Sequence, residues 1–147
     1  MSFRDLLDLK GPIYLERMYE PEENSLYIIV NFTTTLEEES VFMMDHEIRA
    51  SPVVPDSSKQ IHIFFPSYIS YVTTNEAYSY MQGNEIYEGD TFRIHQHSRF
   101  RDFVKLQTFA EGMFPEKEYI HYQIPCLNHI IDVISFEEPE ITKCGID

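Results

Sequence analysis

From Leu26 onward the chain returns at short intervals to runs of β-branched and aromatic residues: LYIIVNF at 26–32, IHIFF at 61–65, YISYVT at 68–73 and TFRIHQH at 91–97. Such residues suit the pleated, half-buried surface of a strand. Turn signals separate the runs, and they never alternate regularly with helical patterns as a parallel sheet requires. Three further segments join them. Ile13–Tyr19 alternates in part, Tyr119–Cys126 places Ile120, Tyr122 and Ile124 on one side, and His129–Phe136 does the same with Ile131 and Val133. The expectation is one α+β domain over 1–147 with about seven strands in a mostly antiparallel sheet.

Helical signals are few. Ser98 can cap a helix over 98–110, with Phe100, Phe103, Val104 and Leu106 as its buried stripe. Gly112 and Pro115 stop it. A short N-terminal helix is expected at Ser2–Lys10, ended by Gly11-Pro12. Pro21–Ser25 reads as the tip of a hairpin, Thr33–Ser40 as a solvated turn or helix start, and Ser51–Lys59 as a loop. Gly83-Asn84 and Glu88–Asp90 are turn signals. Val41–Arg49 fits strand and helix equally.

Charge narrows the partners. The 147 residues carry 25 Asp and Glu against 11 Lys and Arg, a formal net charge of −14. Nucleic acid and anionic membrane would be repelled over most of such a surface. A basic protein would be attracted, and the loop carboxylates Glu22, Glu23, Glu37, Glu38, Glu39, Glu85, Glu88 and Asp90 are the candidates to meet it. A binding module acting on a basic partner, in the manner of an immunity protein or antitoxin, is the leading functional expectation. Two cysteines, Cys126 and Cys144, are too few for a disulfide framework and read as free thiols. MSFRDLLDLKG has no secretory pattern and no apolar run reaches the roughly twenty residues of a membrane span, so a cytoplasmic protein is expected.

Against this acidic background Arg93, His95, His97, Arg99, Arg101 and Lys105 gather in one stretch. On a strand Arg93, His95 and His97 share the face opposite Phe92 and Ile94. Arg93, Arg99 and Arg101 at a strand–helix junction could hold an anion beside a helix N-terminus, although no Gly-rich phosphate loop is present. His95 and His97 at i and i+2 could ligate a metal. With Gly89 they resemble the first motif of cupins, G-x5-H-x-H. The resemblance implies a Glu ligand shortly after, where this chain has only Asp102, and a second motif that neither His121 nor His129 supplies. Half-exposed surface histidines, and arginines paired with the chain's own carboxylates, are the plainer readings. No cofactor is indicated. The alternative function is therefore a small-ligand or metal-dependent enzyme centred on 93–101.

Nucleophilic signals are weak. Cys126 falls in a buried strand, Ser70 and Ser79 lack an elbow motif, and Asp45-His46 or His129 with Asp132 could each be half of a dyad. Tyr68, Tyr71, Tyr78 and Tyr80 could line a pocket or a partner surface.

Three blocks in order, FPSYISYVTTNEAY, SRFRDFV and HYQIPCLNHIIDVISFEEPEI, resemble a group of small bacterial proteins with no established activity. That resemblance covers about the last ninety residues and implies a bacterial, cytoplasmic, single-domain protein. It transfers no catalytic residue.

Overall fold

The computed structural model describes residues 1–80 and 85–146. The chain is mostly β, with antiparallel pairing throughout and little helix, so it is α+β only in the broad sense. Its strands are β1 (Ile13–Tyr19), β2 (Leu26–Thr35), β3 (Glu39–Met43), β4 (His46–Ala50), β5 (Val53–Phe65), β6 (Ser70–Asn75), β7 (Ile86–Gly89), β8 (Arg93–His97), β9 (Ile120–Pro125), β10 (His129–Ser135) and β11 (Glu140–Cys144). The helices α1 (Arg99–Gln107) and α2 (Ala110–Met113) lie between β8 and β9.

Two sheets pack face to face. The first runs β1-β2-β5-β11 and the second β6-β10-β9-β8-β7. Alternation decides what lies between them: Ile13, Leu26, Ile28, Val30, Ile61, Ile63 and Phe65 project from the first sheet, and Ile94, Tyr122, Ile124, Ile131 and Val133 from the second. All are buried in one cluster, together with Phe3, Leu6 and Phe92. Phe3 meets Tyr122 edge to face at 4.9 Å between ring centroids, so the N-terminal segment plugs one opening between the sheets.

The two sheets are also tied by hydrogen bonds. Asn128, in the β9–β10 turn, accepts from the Leu15 N–H at 2.9 Å and donates to the Leu15 carbonyl at 3.0 Å. Its amide thus pairs with β1 as another strand would, where the register of β1 on β2 shifts between Leu15 and Arg17.

Several expectations need correcting. Thr33–Thr35 and 53–59 are strand, because β2 and β5 stay paired past the sandwich, Thr33 opposite Pro55 and Thr35 opposite Val53. Val41–Arg49 is the β3–β4 hairpin at the end of that extension, turning at Met44 and Asp45, both with positive φ. Every residue of β3 and β4 is exposed. The N-terminal helix is a single 3-10 turn, Phe3–Leu6, capped by Ser2 and Asp5. The main helix stops at Gln107 and buries only Val104; Phe103 and Leu106 are exposed, Leu106 at 81%. The turn expected at Gly83-Asn84 lies outside the described residues. Among the described residues no helix is long and apolar enough to cross a membrane.

Candidate functional site

The second sheet's outer face, away from the apolar core, carries a row of polar side chains. The register sets it up. Asp132 on β10 stands opposite Gln123 on β9, which stands opposite Arg93 on β8. In the neighbouring row His121 stands opposite His95. Arg93, His95 and His97 therefore do share one face, as alternation requires, but His95 is only 2% exposed while His97 is on the surface.

These buried groups satisfy one another in a fixed order. Asp132 Oδ1 accepts from His121 Nε2 at 2.7 Å and from Gln123 Nε2 at 2.9 Å. With its amide nitrogen committed to Asp132, Gln123 presents Oε1 to His95 Nε2 at 2.9 Å. His95 must then carry its proton on Nε2, which leaves Nδ1 as a lone-pair acceptor. His121 likewise has its proton on Nε2, and its Nδ1 accepts from the Ser98 hydroxyl at 2.7 Å. Ser98 Oγ in turn accepts the Arg101 N–H at 3.1 Å as the N-cap of α1. The two imidazoles stack at 4.4 Å between centroids.

The chain of bonds ends unfinished. His95 Nδ1 and Glu85 Oε2 face each other at 3.4 Å, within ion-pair range, yet neither buried atom has a hydrogen-bond partner among the described residues. Glu85 is held there through its other oxygen, which accepts the Arg99 N–H at 3.3 Å. Burial pushes the His95 imidazole below its ordinary pKa; the Gln123 hydrogen bond and the Glu85 and Asp132 carboxylates pull the other way without reversing the shift. In its neutral form, with the proton on Nε2, the imidazole presents a lone pair to the Glu85 oxygen. Buried polar atoms in native proteins are almost always paired, so two orphans at one point are unusual and single this position out.

That point opens into a cavity of about 250 Å³. His95, His121, Gln123, Asp132 and Glu85 line its inner part, and Arg99, Thr74, Tyr78 and Tyr80 also border it. The two tyrosines leave their rings exposed, Tyr78 at 82%. Aromatic residues at a polar cavity give a ligand's apolar portion something to stack on.

Ser98, His121 and Asp132 mimic a nucleophile, base and acid in their connectivity. Their geometry argues for a structural role. Ser98 is 2% exposed, does not border the cavity, and already both donates and accepts. Such a hydroxyl has no open path to an electrophile.

The expected site residues separate accordingly. His95 belongs to the cavity and Arg99 to its border, whereas His97 is turned to solvent. Among the described residues no three His, Cys, Asp or Glu side chains converge as a metal centre. The three arginines do not meet at one anion: Arg93 lies 4.6 Å over the Tyr87 ring and donates to the Asp90 carbonyl, and Arg101 lies 5.1 Å over Tyr119. Of the acidic set, Glu85 is in the cavity and Glu88 accepts from Gln96. Glu22 and Glu23 sit in the β1–β2 turn and Glu37–Glu39 past the far end of β2. A ten-residue strand separates those groups by roughly 30 Å, so they form no single patch.

Asp132 pairs with His121, not with His129 as the sequence suggested. Its signal was present, a lone carboxylate in the apolar run IIDVIS, as was the alternation of His121 and Gln123. A second cavity of about 510 Å³, bordered by Tyr68, Phe109, Met113 and Phe114, has few polar groups and offers no comparable chemistry. Comparison with protein-family models, curated proteins and solved structures gave no match.

Proposed function

We propose that this chain binds a small polar molecule in the cavity at the 93–101 strand–helix junction, with His95 as its proton acceptor. One observation carries the reading: His95 Nδ1 and Glu85 Oε2, buried and without partners among the described residues, 3.4 Å apart at the cavity. A protein that used this face only for stability would gain by completing or removing that pair, since an unsatisfied buried acceptor costs about 1–3 kcal/mol. Preorganisation supports the same reading. The Asp132–Gln123–His95 series fixes the tautomer before any ligand arrives, as a site that moves protons requires.

The test is thermal-shift screening of the full chain against small polar metabolites, repeated on His95→Ala and Glu85→Gln. A compound that raises the melting temperature of the native chain and of neither variant supports the site. Stabilisers acting equally on all three proteins would refute it.

A second reading has one local observation behind it. The β3–β4 hairpin exposes Phe42 at 73% and Met44 at 93% beside Glu37, Glu38, Glu39 and Glu47. An apolar tip among carboxylates suits a basic protein with an apolar recess, the immunity-like role. Replacing Glu37–Glu39 with Gln should slow association with such a partner at low salt; an unchanged rate would remove this reading.

A further inference from the structure

The orphan pair also selects among ligands, and this step rests on the small-ligand reading above. We infer that the ligand carries a primary ammonium group, which sits on the cavity side of His95 Nδ1 and Glu85 Oε2, 3.4 Å apart, and donates to both. The two atoms are acceptors, so an anion or a carbonyl oxygen cannot satisfy them. A single hydroxyl has one hydrogen and completes only one of them; water or a diol can reach both but only as a neutral donor, whereas an ammonium brings three hydrogens and a charge. The Glu85 carboxylate favours a positive donor over a neutral one, because hydrogen bonds between ionised groups are about twice as strong.

The surroundings agree. Asp132 adds a second carboxylate to the cavity lining. Tyr78 and Tyr80 border the cavity with aromatic rings, a residue type whose faces attract cations. Arg99 on the border is the one Lys or Arg among the described lining residues, which disfavours a diamine and suits a ligand whose other end is neutral or anionic. A volume of about 250 Å³ holds a molecule of amino-acid size. A divalent metal is the rival cation. Zinc sites supply three or four protein ligands, and among the described residues two atoms here lack partners.

The experiment is a chemical-shift titration of the ¹⁵N-labelled full chain with ethanolamine, ethylene glycol, glycine and zinc chloride in separate runs. Ethanolamine and glycine are expected to move the amides of His95, Gln123 and Arg99 and to saturate, with ethylene glycol at least about tenfold weaker. Glu85→Gln keeps the shape of the side chain and its bond to the Arg99 N–H. It should weaken ethanolamine about tenfold and leave the rest of the spectrum in place. Equal binding of glycol and ethanolamine overturns the ammonium class but leaves the small-ligand reading standing. Zinc shifting those amides while the amines do not makes the site a metal site and overturns it too. No response at those amides from any of the four, with no stabiliser in the thermal screen, overturns both.

Discussion

Asp132 is the side chain on which the outer-face network converges, so its replacement tests the whole arrangement. Its Oδ1 accepts two N–H groups, from His121 and Gln123, that are themselves buried. Asp132→Asn keeps an acceptor at that position and removes the charge. Two charge-assisted bonds become neutral ones, a loss of about 1 kcal/mol each, or about 2 kcal/mol in all. The relief of an uncharged group in a low-dielectric site offsets part of this. Asp132→Ala removes the acceptor and strands both donors at about 1–3 kcal/mol apiece. The alanine variant should therefore be the less stable of the two by about 2 kcal/mol. Urea unfolding followed by far-ultraviolet circular dichroism measures this in a chain without tryptophan, and the midpoint should fall with an unchanged slope. Both variants within about 0.5 kcal/mol of the native chain would mean that water replaces Asp132 at no cost, and the network would then be incidental to the fold. Imidazole ¹⁵N shifts give a second readout: loss of Asp132 frees the Gln123 amide to turn, and His95 should lose its fixed Nε2–H tautomer.

His95 makes stability depend on pH. Its folded-state pKa lies below the unfolded value of about 6.5, so between the two the unfolded chain binds a proton that the folded chain does not. Stability contributed by neutral His95 is then present above pH 6.5 and lost as pH falls toward the folded-state value; His95→Gln should flatten that part of the profile in urea titrations. The thiols should react in two classes: burial raises Cys126 to about 12, so a thiol reagent should label Cys144 in the native protein and Cys126 only after denaturant is added. Gly89→Ala should cost about 2–4 kcal/mol, since Gly89 has φ +94° and an added Cβ would lie 2.0 Å from the Phe92 carbonyl oxygen. Gly112→Ala, with nothing within 4 Å of its Cβ, is the control and should be neutral or stabilising in the same measurement.

Strands with dense β-branched and aromatic content were legible because the same alternation that shapes the sequence fills the space between the sheets. Phe92 and Ile94 face inward for that reason. Segment 53–59 was not legible, since Pro55 reads as a strand breaker. It is tolerated because β11 pairs β5 only over Gln60–Phe64, leaving that side of Pro55 with no ladder to join. The β3–β4 turn was hidden by Met44 and Asp45, which adopt positive φ without the Asn-Gly pair that announces such turns. Phe103 and Leu106 look like a buried stripe, but α1 meets the sheet chiefly through Val104 and Phe100. The candidate site was half visible. His95 and Arg99 stood out by type, whereas His121 bears only on a second cupin motif, Asp132 only on a pairing with His129, and Gln123 on neither. What buries them is the covering of the outer face by segments distant in sequence, and no local pattern encodes that.

The strand order of the first sheet bears on how the chain reaches this structure. β1, β2 and β5 can pair as soon as residue 65 is available, yet the sheet's fourth member, β11, comes from residues 140–144. Until those residues arrive, the Gln60–Phe64 edge of β5 offers a row of free amide and carbonyl groups on a strongly apolar strand. Exposed edges of that kind template pairing with other chains, and contacts between such distant segments form late and slowly. Intermolecular association during refolding should therefore begin at β5, and the kinetic competitor that suppresses it is the chain's own last strand.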